Sequence, residues 1–191
     1  MFEKLPPLSP ALFVQMGWQC PYLKGPFKTD RTRRLPDPLG EPTFATLHVG
    51  WNEEGLTFHI DSASELTSVE LFLDTRDLKT KGQISRFCHH FLFPLEGTAR
   101  ELTRFRGEDH HRLADPEDLK FKIEKGWRGV DLTIPLPAAL LHGFDPHAFP
   151  RIGFAYRIRT PDNQAQHFPL SSQDVSLEQH PAAWSTLHLK S

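Results

Sequence analysis

The sequence predicts an all-β protein, an antiparallel β-sandwich or jelly roll that carries an irregular N-terminal arm. Three observations predict it. From Thr43 onward, short runs of alternating apolar and polar residues recur between turn residues. The 191 residues include 17 Pro and 12 Gly, which is frequent punctuation. Phe occurs 15 times and Met twice, a balance that suits a stiff aromatic core built on strands. A chain of this length buries a core of its own.

Taken in order, residues 1–42 form the expected arm, with prolines at 6, 7, 10, 21, 26, 36 and 38 and the basic run Arg31, Arg33, Arg34. Within it, the apolar stretch Ala11 to Trp18 reads as an early edge strand, because prolines on both sides forbid a long helix. Residues 43–191 form the sandwich. Thr43 to Trp51 and Leu56 to Ile60 flank the turn Asn52-Glu53-Glu54-Gly55 and predict a hairpin. Val69, Leu71 and Leu73 alternate with Glu70, Phe72 and Asp74, so the aliphatics point to the core and the acids to the opposite face. The returning run Arg86 to Phe93 places Phe87, His89, Phe91 and Phe93 inward, leaving Arg86, Cys88, His90 and Leu92 on the other face.

Residues Glu96 to Asp118 read as a short strand and a charged surface loop. Leu119 to Glu124 and Gly129 to Ile134 make a further hairpin around Trp127, and Pro135 to Leu141 carries one helical turn. Arg151 to Arg159, His167 to Leu170 and Thr186 to Lys190 complete a set of roughly eight to eleven short strands.

Composition excludes some functions. Lys and Arg total 22 against 24 Asp and Glu, a net charge of −2, so no basic excess points to nucleic acid or a membrane surface. No run approaches the ~20 apolar residues that span a bilayer. Met1 to Pro7 lacks the apolar stretch of a secretory signal, and Cys20 and Cys88 are the only cysteines, so a cytoplasmic protein with free thiols is expected.

The order of these pieces resembles the family 9 carbohydrate-binding modules and the wider DOMON-like sandwiches. The pieces are Trp51 to Ile60, Ser68 to Asp74, the hairpin ending Val130-Asp131-Leu132-Thr133-Ile134-Pro135, Arg151 to Phe154, and Pro181 to Leu189. The resemblance implies a non-catalytic domain that holds sugar between two tryptophans over a polar sheet face, with structural calcium nearby. It also implies that Glu70 is an acid of that face and that Cys88 and His90 stand where ligand-binding side chains are presented. The chain departs from the pattern at both clamp positions, with Ser64-Glu65-Leu66 at the first and His167 to Ser172 at the second.

The resulting expectation is carbohydrate binding through a concave polar face of Glu70, Arg86, Cys88, His90, Arg157, Arg159 and His167. Converging arginines, Arg104 and Arg106 among them, favour an acidic sugar, because guanidinium pairs with carboxylate. The alternatives are a metal-assisted or acid/base enzyme using His90, Glu70 and His167, and a structural sandwich whose arm contacts a partner. Zinc is suggested by Cys88-His89-His90 and Asp109-His110-His111, and adjacent strand residues cannot share one ion, so a site needs either His89 or His90 with partners such as Glu70, His111 or His167. Calcium is suggested by Asp74 and Asp77. Trp51 and Trp184 read as structural, and Trp127 at a hairpin tip reads either as an exposed platform or as a ring folded back on its own hairpin.

Overall fold

The computed structural model of the protein describes residues 16–25, 31–38, 43–170 and 176–190. Ala11 to Gln15 of the early apolar run, and Ser171 and Ser172, lie outside the described residues. Twelve strands follow one another: β1 Gly17–Pro21, β2 Arg33–Arg34, β3 Ala45–Asn52, β4 Gly55–Ser62, β5 Ser68–Asp74, β6 Cys88–Pro94, β7 Arg100–Glu101, β8 Lys122–Gly126, β9 Gly129–Pro137, β10 Arg151–Arg159, β11 Ala165–Phe168 and β12 Ser185–Lys190. Helical structure among the described residues is confined to short 3₁₀ turns, including Ala138–Leu140 where one turn was expected.

The strands form two sheets packed as a sandwich. One has the order β1-β12-β10-β5-β6-β7, with β11 alongside β10, and the other has the order β2-β3-β4-β9-β8. All named pairings are antiparallel except β1 with β12. The early edge strand therefore exists, shifted toward the C-terminal end of its apolar run, and it closes one side of the larger sheet.

Alternation decides the core. Val69, Leu71 and Leu73 of β5 and Phe91 and Phe93 of β6 face Leu47, Val49, Phe58, Ile60, Leu132 and Ile134 of the smaller sheet. Phe58 stacks on Phe154 across the sandwich, ring centres 5.3 Å apart. Each such buried side chain contributes about 1.5–3 kcal/mol relative to exposure. The β3–β4 hairpin closes on Asn52 opposite Gly55, and Gly55 has φ +140°, where a Cβ would lie 2.1 Å from the Leu136 carbonyl oxygen.

Two boundaries differ from the sequence reading. Leu119 to Phe121 precede β8, because Leu119 is buried through a 3₁₀ turn at Pro116–Asp118 instead of through pairing. Arg86 and Phe87 precede β6, because Cys88 donates its N–H to the Ser85 carbonyl and turns the chain there.

The outer face of the larger sheet is not bare. Phe72, Cys88 and Ala155 on that face pack with Ile84, Leu177 and Trp184 in a second apolar cluster, which Phe105 joins from the side. Trp184 fixes this roof by donating its indole N–H to the Leu177 carbonyl.

Candidate functional site on the outer sheet face

Beside that apolar cluster lies an ionic one. Glu70 and Arg157 sit directly opposite each other on β5 and β10, so alternation puts both side chains on the outer face. Arg157 grips Glu70 with two bonds, Nε to Oε1 at 2.8 Å and Nη2 to Oε2 at 2.7 Å. His90 Nε2 lies 2.8 Å from Glu70 Oε2, and Arg159 Nε stands 3.6 Å from Oε1. Arg157 also pairs with Glu178, which in turn accepts a hydrogen bond from the Ser176 hydroxyl.

Burial pushes the Glu70 carboxyl up, but its bonds to His90 and Arg157 outweigh burial and hold it at about 2. Arg157 is correspondingly held further toward its charged form, with Glu70 and Glu178 outweighing its own burial. Glu70 is thus a fixed anion with both oxygens engaged, a poor proton-transfer group near neutrality. It orders the floor of the site and holds the His90 ring, which also stacks on Phe72 at 4.4 Å.

Above this floor opens a cleft of 520 Å³. His90 lies at its base, Leu102, Arg104, Phe105 and Arg106 form one wall, and Ser176, Glu178 and Gln179 form the other. The volume lies within the range of small-molecule sites, and a few polar groups among apolar ones are their usual lining. Arg104 and Arg106 bring positive charge to its mouth, whereas Phe105 and Ile84 supply apolar surface.

The residues singled out from sequence meet different fates. Glu70, His90, Arg157 and Arg159 converge in one network. His167 is directly opposite Arg157 on β11, on the same face, and is buried. Cys88 is also on that face, but it is buried within the second apolar cluster, and burial pushes its thiol up to about 12. Arg86 stands apart, ahead of β6, paired with Asp109 at 3.4 Å. Glu178 and Ser176 were not singled out from sequence, because they reach the cleft from a loop with no strand periodicity to place them.

The inner face carries a different cluster. His89 faces the core, as alternation requires, and meets Glu101 of β7 and His111 of the following loop. His89 Nδ1 and His111 Nε2 each lie 2.9 Å from Glu101 Oε1, which also accepts the Thr103 hydroxyl at 2.7 Å. Ala114 donates its N–H to Glu101 Oε2 at 2.8 Å. Burial raises the Glu101 carboxyl, yet His111 and His89 outweigh it and hold the group at about 2.

At the end of β5, Asp74 accepts the N–H groups of Arg76 and Leu78. Asp77 takes the Lys79 ammonium at 2.9 Å and the Thr186 hydroxyl at 2.8 Å. Lys79 also donates to the Trp184 carbonyl at 2.5 Å, so a side-chain cation already serves the acid pair considered for calcium. Trp51 and Trp184 are buried, and Trp127 is 89 % exposed at the β8–β9 tip with the Arg128 guanidinium 4.6 Å from its ring centre.

These features define a β-sandwich with a polar cleft built on one sheet face. Its fold is that of the family 9 carbohydrate-binding modules. It matches a family 9 module from Caldicellulosiruptor kristjanssonii in complex with cellotriose, with a TM-score of 0.69 over 92 % of this chain and 94 % of that one, at 12 % identity. It also matches a family 9 module from the same organism in complex with glucose, with a TM-score of 0.70 over 92 % of this chain and 96 % of that one, at 12 % identity. No protein-family model and no curated protein matches the sequence. No helix among the described residues is long and apolar enough to cross a membrane.

Proposed function

We propose that this protein binds carbohydrate without catalysis, in the cleft over the outer face of the larger sheet, and that an acidic sugar is the class it prefers. The observation that carries the reading is the likeness of nearly the whole sandwich to two modules solved with bound sugar. The cleft supports it with its own chemistry. Arg104 and Arg106 offer planar donors to a carboxylate, Ser176, Gln179 and Glu178 suit hydroxyls, and Phe105 suits the C–H face of a sugar ring. The Glu70–Arg157–His90 network keeps the floor rigid, which lowers the ordering cost of binding.

The test is a glycan array spanning neutral and acidic sugars, followed by calorimetry on the best ligand. A uronic acid or similar sugar should bind, and the double variant Arg104→Ala/Arg106→Ala should lose about tenfold or more, consistent with a lost bidentate pair. Both residues are exposed, so folding is retained. Absence of binding to every sugar would end the carbohydrate reading. Neutral-sugar binding that ignores both arginines would end only the acidic preference.

A further inference from the structure

We propose that His89, Glu101 and His111 form a binding site for one divalent transition-metal ion of the zinc class, on the opposite face of β6 from the cleft. The proposal does not depend on the carbohydrate reading. Two imidazoles and a carboxylate are a ligand set that zinc takes, and their three ligating atoms lie within 4.8 Å of one another.

The hydrogen bonding around the cluster is what points to an ion. His111 Nδ1 lies 2.6 Å from the Arg86 carbonyl oxygen, and a carbonyl can only accept, so that nitrogen carries the proton. In neutral His111 the lone pair is therefore on Nε2, aimed at Glu101 Oε1, which is itself a bearer of lone pairs. A positive species lies between them, either a proton that makes His111 an imidazolium or a metal ion bound in that proton's place. An imidazole fixed by a main-chain carbonyl on one nitrogen and presenting the other is the usual orientation of a metal-ligating histidine.

The carboxylate side agrees. The Glu101 side chain is 0 % exposed, and its contacts are two imidazoles, the Thr103 hydroxyl and the Ala114 N–H, with neither Lys nor Arg among them. A fully buried carboxylate requires a charge partner, and a divalent ion supplies one. The present separations of 2.9 Å are short for tetrahedral ligands. Atoms 2.0–2.1 Å from an ion at that angle lie about 3.4 Å apart, so the cage opens by roughly half an ångström on loading.

An entry route exists. A surface hollow of 320 Å³ reaches His111 beside His142, with Asp118 and the Arg112–Asp115 ion pair on its lining. The His142 ring covers that of His111 at 5.5 Å.

The test uses the full chain, stripped with a chelator and titrated with Zn²⁺ and with Co²⁺. The expected result is one equivalent of Zn²⁺ retained through gel filtration, visible Co²⁺ bands of a four-coordinate N/O site, and a melting temperature raised by several degrees. His111→Gln should abolish all three. His59→Gln should leave them intact, which matters because His59 lies near His48 and Asp131 on the other sheet and is the competing surface site. If wild-type protein retains no stoichiometric ion, shows no cobalt bands and gains no thermal stability, the proposal fails and a proton on His111 completes the cluster. Retained binding in His111→Gln, or loss in His59→Gln, would overturn it equally. The wild-type measurements stand even where a variant does not fold.

Discussion

His89 and His90 are neighbours in the chain, yet they serve two glutamates on opposite faces of one strand. His90 leans on Glu70, whose charge Arg157 neutralises through two parallel bonds. His89 leans on Glu101, which is equally buried but has only imidazoles, a hydroxyl and an N–H around it. The outer network is complete from the chain's own side chains, and it holds the His90 ring and the sheet face beneath the cleft in place. The inner cluster has no Lys or Arg, so the charge that balances Glu101 is a proton on an imidazole or an ion bound in its place. Burial alone therefore does not identify a site, and the deciding quantity is whether the partners balance the charge.

The comparison breaks most visibly at Arg157. Arg157→Met leaves the buried Glu70 carboxylate with the His90 imidazole and only the longer 3.6 Å contact to Arg159, and should cost about 3–5 kcal/mol of stability in urea unfolding. Glu70→Leu/Arg157→Met should recover a large part of that, because no buried charge is then left alone. A single-variant cost below about 1 kcal/mol would mean that the outer network is solvated, and the contrast with the inner cluster would collapse.

Acid titration sharpens the same contrast. The folded Glu70 carboxyl sits at about 2, below its ordinary value. A group lowered on folding stabilises the protein fully above its unfolded value and loses that contribution as pH falls toward the folded one. Stability should drop between about pH 4.5 and pH 2, and Glu70→Gln should flatten that limb by about 3 kcal/mol. Circular dichroism against urea at a series of pH values measures it. An unchanged limb would place the acid sensitivity elsewhere, with Glu101 the next carboxylate to test.

The smallest effect belongs to the residue that joins the two clusters. Thr103 accepts the His90 main-chain N–H at 2.9 Å and donates its hydroxyl to Glu101. Thr103→Val keeps the shape, removes both bonds and should cost about 1–2 kcal/mol in the same unfolding assay. A neutral result would show that water replaces the hydroxyl and that the two clusters are independent.

Much of this was legible in the sequence. The period of two along β5, β6 and β10 placed Glu70, His90 and Arg157 on one face, and the same period sent His89 inward. The sandwich followed from strand alternation and turn residues, because side-chain direction in a strand is a local property. Parity does not report cover, so Cys88 was assigned to the binding face although it is buried in the apolar cluster with Leu177 and Trp184. Arg86 shared the parity, but a turn at Ser85 removes it from the strand before the alternation begins.

Local pattern was enough for the class of fold and the facing of the strand residues, since these depend on neighbours a few positions apart. Which partners meet is set by how the assembled chain brings distant segments together. Glu101 with His89 and His111, and Glu178 with Arg157, are brought together by loops whose paths carry no periodic signal. Both clusters depend on charge balance in a buried space, a property of assembled surroundings that no stretch of chain contains alone.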